Sequence, residues 1–161
     1  MMGKGVEKRA LAFENFDQAI AEAKRLLDGG YEKRGKWNLA QCCRHLDDWL
    51  KFPMDGFPKA AAPIRLMLWL MKISIGKSQL KKVLDDGFNA GLPTMPATVY
   101  EEADAAADAE AFEALEQTVH RFVESNSPIH PSPLYGEMDR ATATKLQLRH
   151  FEHHLGFLVP K

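Results

Sequence analysis

Three of the chain's six histidines fall within Leu148-Arg149-His150-Phe151-Glu152-His153-His154-Leu155, a segment whose apolar residues recur at helical spacing. An α-helix turns about 100° per residue, so His150 and His154, four apart, stand one above the other. If Leu148, Phe151, Leu155 and Leu158 form the buried stripe, His154 falls roughly 80° and His150 roughly 120° from its centre, with His153 opposite. Two neutral imidazoles placed this way can share one divalent ion, each offering a nitrogen lone pair at about 2.0–2.1 Å for zinc. Histidines in a last turn also arise simply to complement the helix dipole, so a metal site requires a further donor from elsewhere.

The best source is Asn38-Leu39-Ala40-Gln41-Cys42-Cys43-Arg44-His45-Leu46-Asp47-Asp48-Trp49-Leu50. Here Leu39, Cys42, Cys43, Leu46, Trp49 and Leu50 follow the i, i+3, i+4, i+7 pattern of a core-facing stripe, and Asn38 is a good N-cap. His45 lies at the stripe's edge, where a side chain can look into the seam between packed helices, the place where bundles build metal sites. The plainer alternative is a half-exposed histidine hydrogen-bonded to a neighbour.

Composition limits the partners. With 161 residues, 45% of them hydrophobic, and a formal net charge of −1, the expectation is one soluble domain over residues 1–161 with its own core. Lysines and arginines are spread along the chain, so no nucleic-acid partner is expected. The charged stretch Met1–Arg9 does not read as a secretory signal, and the adjacent Cys42 and Cys43 diverge too far on a helix to pair. Both features point to the cytoplasm, with the cysteines serving as small core residues. The strongest apolar run, Ile64 to Ile75, is too short to span a bilayer, so no membrane partner is expected. It reads either as a buried helix or as one that covers a second subunit, which makes a homodimer one expectation.

The elements that must position the histidines follow from the same periodicity. Helices are predicted from about Asn15 to Asp28, through the His45 segment up to Pro53, from Asp108 to Ser125, and from an N-cap at Asp139 to about Leu158 unless Gly156 stops it sooner. The apolar run and Leu80–Leu84 supply one or two shorter pieces ending at Gly87, and Gly91 to Thr98 reads as an extended crossing loop. A strand at Thr98-Val99-Tyr100 would have nothing to pair with. The fold class is therefore all-α: a four-helix bundle with an additional short helical segment between the second and third long helices.

Trp37-Asn38-Leu39-Ala40-Gln41 leading to His45-Leu46, then His130-Pro131, Leu134-Tyr135-Gly136 and His150-x-x-His153-His154-Leu155, resembles the DinB/YfiT-like superfamily. The similarity is to an uncharacterised subfamily with a His-Pro-x-x-Gly turn before a terminal His-x-x-His-His helix, and it extends to Asp55-Gly56-Phe57-Pro58. It implies a four-helix bundle holding a divalent ion through one histidine of the second helix and two of the last, which here are His45, His150 and His154. Characterised relatives include transferases and isomerases that use low-molecular-weight thiols as cosubstrates, so the resemblance also implies thiol-dependent chemistry. The chain departs from the subfamily at Ala143, where tryptophan is usual, and in the longer turn Pro131-Ser132-Pro133.

Three imidazoles leave coordination positions open, the mark of a metal that meets substrate, and zinc, nickel or iron accept such ligands. The expected function is activation of water or a low-molecular-weight thiol toward a small-molecule substrate. His130, in a proline-rich loop, is the candidate acid or base, although fixing a turn would also account for it. Asp48 could orient His45 but, like Glu152, reads as a solvated charge, His153 as facing solvent or a subunit, and His120, beside the apolar stripe of the third long helix, has no chemical role. The contrasting expectation is a non-catalytic bundle, used for binding or dimerisation, with a vestigial or absent metal site.

Overall fold

The computed structural model, which describes residues 7–161, converts the helical spacing into α1 (Phe16–Gly29), α2 (Leu39–Asp55), α3 (Ala62–Met71), α4 (Lys77–Asp86), α5 (Ala106–Glu124) and α6 (Arg140–Leu155). The fold is all-α apart from β1 (Tyr31–Lys33) and β2 (Leu158–Pro160), which pair antiparallel with Glu32 opposite Val159. The long helices α1, α2, α5 and α6 share one core. Phe16 of α1 meets Phe122 of α5 and Phe151 of α6 edge-on at 5.6 and 5.7 Å, a preferred aromatic geometry that ties three helices together.

Side chains start three of these helices where the sequence places them. The Asn15 side chain accepts from the Gln18 amide, and Asp139 accepts from that of Thr142. Asn38 and Gln41 form a reciprocal capping box at 3.0 and 2.9 Å, so the first turn of the His45 helix is held at both ends.

Helix α2 does not stop at Pro53 but continues to Asp55. A proline in a helix has no N–H for the carbonyl four residues back, here Trp49. Gln147 of α6 repairs the defect by donating its Nε2–H to that carbonyl at 3.0 Å. Replacing Gln147 with leucine is expected to cost about 1–3 kcal/mol by leaving a carbonyl unpaired, read as a lower midpoint in urea. The cost should shrink in a Pro53→Ala background, where the restored N–H takes over; equal costs in both backgrounds would refute the repair.

Other boundaries also differ from expectation. Helix α6 ends at Leu155, and the chain turns at Gly156, where a Cβ would lie 2.8 Å from the Glu152 carbonyl and 2.9 Å from that of Arg9. Leu158 consequently belongs to β2, pairing with β1 that apolar alternation did not reveal. Thr98 to Tyr100 form no strand; Pro96–Thr98 make a single 3₁₀ turn. The connection between α2 and α5 is longer than a short helical segment. It comprises α3, a π-helical turn over Lys72–Gly76 and α4. The Ile64–Ile75 run is not buried in the chain, since no residue of α3 is. The segment is seated at Gly76, whose missing Cβ would fall 2.6 Å from the Leu134 carbonyl.

Candidate metal centre

Helix packing brings His45, His150 and His154 together, with one ligand atom from each lying within 4.8 Å of the others. His150 Nε2 is 3.1 Å from His45 Nε2 and 3.0 Å from His154 Nε2. Nitrogens bound 2.0–2.1 Å from a common ion lie about 2.9 Å apart at a right angle and about 3.4 Å apart at a tetrahedral one. The two separations from His150 fall between these values and all three donors lie within 4.8 Å of one another, close enough to hold one divalent ion.

His45 is the best-fixed donor. It is 1% exposed, and its Nδ1–H donates to the Thr98 carbonyl at 2.9 Å. A carbonyl can only accept, so this bond places the proton on Nδ1 and leaves the Nε2 lone pair facing the other histidines. Thr98 is held in turn: its amide and hydroxyl both bond the Met95 carbonyl, and Trp49 Nε1 donates to the hydroxyl at 3.3 Å. Asp48, considered above as the group that orients His45, instead accepts a 2.5 Å bond from the Tyr100 hydroxyl.

Aromatic rings wall the cluster. Trp37 stacks on His154 at 5.1 Å with the planes 10° apart, Trp49 meets His150 edge-on at 5.9 Å, and Phe88 lies 5.2 Å from His150. Burial draws all three imidazoles below their ordinary range. For His150 and His154 the other histidines add to the shift, whereas the Thr98 carbonyl and Asp48 partly oppose it at His45. Neutral rings are the form a metal requires. His150 and His154 are only half-buried, so the cluster is not sealed from solvent. The surface depression lined by Ile129, Met138 and Arg140 reaches none of them.

Other sequence candidates fall elsewhere. His130 is exposed, and its amide donates to the Pro53 carbonyl at 2.9 Å, closing the end of α2. That point lies eight residues, or about 12 Å, along the helix from His45, and His130 is not among the histidines that the structure brings together. His153 is half-buried and does not simply face solvent: its Nδ1–H donates to the Phe88 carbonyl at 3.1 Å, which Lys8 also contacts. Burial, with the Lys8 charge beside it, pulls His153 down to about 4. Glu152 is not a solvated charge either; it is buried, accepting from the Phe13 amide at 2.7 Å and from Arg149 at 2.9 Å. His120 is exposed and does not join the cluster. Cys42 and Cys43 are free and buried, and burial pushes the Cys42 thiol up to about 12, so both behave as core residues.

Sequence reasoning gave Trp37 no place at the site, though it opens the motif leading to His45, and missed Phe88, Thr98 and Gln147; of these three only Gln147 carried a usable signal, standing three residues before His150 opposite a proline-interrupted helix.

Fold and site together define an all-helical protein in which three histidines from two long helices lie close enough to hold one metal ion. Over residues 5–161 the chain matches a family model described as a protein of unknown function, DUF1569, and it belongs to that family. Comparison with curated proteins and with solved structures gives no match. No helix among the described residues is long and apolar enough to cross a membrane.

Proposed function

We propose that this chain is a cytoplasmic divalent-metal-dependent enzyme of DinB/YfiT-like bundle type, acting on a small molecule through water or a low-molecular-weight thiol. The observation that carries the reading is the convergence of three imidazole Nε2 atoms, one of them oriented by the Thr98 carbonyl. Zinc, nickel or iron would be held by His45, His150 and His154. When bound, such an ion supplies a Lewis acid that brings the pKa of water or a thiol toward neutrality.

The chain's own groups do the remaining work. Thr98 holds His45 in the ligating tautomer, while Trp37, Trp49 and Phe88 limit water around the cluster and strengthen electrostatic effects inside it. No carboxylate joins the three histidines among the described residues. Three neutral ligands leave the charge of a divalent ion unneutralised, so the site favours small anionic partners, a thiolate among them.

Elemental analysis of untagged protein and of a His150→Ala/His154→Ala variant tests the reading. The expected result is about one zinc, nickel or iron per chain in the parent and none in the variant. A parent that takes up none of these ions after reconstitution would leave a non-catalytic helical bundle.

A further inference from the structure

The segment joining α2 to α5 combines two features that the metal centre does not use. Ile64, Leu66, Met67, Trp69, Leu70, Ile73 and Ile75 are all exposed, with Leu66 58% and Trp69 50% open to solvent. An apolar patch of this kind on a folded surface marks a place where something binds. Beside it, residues 56–84 carry Lys59, Arg65, Lys72, Lys77, Lys81 and Lys82 with no aspartate or glutamate, and α4 then closes on Asp85, which pairs with Lys81, and Asp86, leaving the strap net positive. The whole chain has 21 basic and 22 acidic residues, so the rest of the molecule is net negative and positive charge is concentrated here.

We infer that α3, the π turn and α4 form a strap that lies on the surface of an anionic lipid bilayer, with Leu66, Trp69, Leu70 and Ile73 in the interface and the lysines toward the headgroups. An apolar helical face bearing leucine and tryptophan, flanked by lysine and arginine, is the pattern of helices that rest in that interface without spanning it. Anionic headgroups match the charge of the strap. A second copy packed strap to strap about a twofold axis would set the two basic rows against each other. The strap is also placed for the role, seated at buried Gly76 against the Leu134 carbonyl with its outer residues free. The sequence expectation of no membrane partner rested on length for spanning, which does not bear on a helix lying flat.

The test is sedimentation with vesicles of phosphatidylcholine alone and of phosphatidylcholine with about one-third phosphatidylglycerol. The parent should sediment with the anionic vesicles, at least tenfold more tightly than with the neutral ones, and release as salt rises. Lys77→Gln/Lys82→Gln should weaken binding about 25-fold, because each basic residue near such a surface contributes about fivefold. Leu66→Ser/Trp69→Ser should abolish it with an unchanged thermal midpoint, as these side chains are exposed. Absence of binding to either vesicle type overturns the inference, as does undiminished binding by both variants. Sedimentation equilibrium showing a stable dimer that the Leu66→Ser/Trp69→Ser variant dissociates would assign the face to a second copy and overturn it as well.

Discussion

A His45→Ala variant is expected to lose most of the thermal stabilisation that zinc gives the parent. An ion that binds only the folded chain stabilises it by about 4.1 kcal/mol at a thousand times its Kd. Removing an orienting group around a metal commonly costs 10–100-fold in affinity, and removing a ligand costs at least the upper figure. A hundredfold loss at the same zinc concentration leaves about 1.4 kcal/mol. For a domain of this size each kcal/mol is worth about 2–4 °C, so the zinc-dependent rise in Tm should shrink by about 5–11 °C.

Buried His45 also packs beneath Trp37, so its removal will lower the metal-free Tm on its own account. For that reason the quantity to compare is the difference between zinc and chelator within each variant. His130→Ala and His120→Ala, both exposed and remote, should keep the parent's full zinc response. An unchanged response in His45→Ala would remove His45 from the site.

The sequence revealed the site and the fold to different depths. His150 and His154 share a helix, so their alignment follows from local geometry and needs no knowledge of the tertiary path. His45 was readable because its helix carries a clear apolar stripe and Asn38 fixes where that stripe starts. What orients His45 was not readable: Thr98 sits in a 3₁₀ turn of a long loop, and periodicity says nothing about where a loop crosses. Phe88 reaches His150 by the same kind of accident of path. Pro53 misled because a proline normally ends a helix, and its compensation comes from Gln147, almost a hundred residues away. Glu152 and His153 misled because angular position on one helix does not show what other segments lie over it. Lys8, Phe13 and Phe88 are those segments. The Ile64–Ile75 run was left undecided by composition, since strong hydropathy fits burial in the chain and burial in something else equally well.

The metal-free protein is expected to lose stability as pH falls from about 6.5 toward 5. In the unfolded chain these imidazoles take up protons around pH 6.5. In the folded chain burial keeps His150 and His154 neutral well below that value and His153 neutral to about 4. Across the interval the unfolded state binds more protons, so stability is present in full above pH 6.5 and drains away on acidification. Each group held neutral at pH 5 costs about 2 kcal/mol if fully shielded. Discounted for the half-open faces of His150 and His154, the pair should contribute about 2–3 kcal/mol, or a fall in Tm of about 4–12 °C between pH 7.5 and 5. Carboxylates titrate mainly below this window, which separates their effect from that of the histidines. A His150→Gln/His154→Gln variant should therefore show a much flatter profile from pH 7.5 to 5. Zinc should steepen the parent's profile, because protons compete with the ion for all three rings and its stabilisation is lost with them. A parent whose metal-free Tm stays level over the interval would mean that His150 and His154 are not held neutral together, and two of the three preformed ligands would then be lost with them.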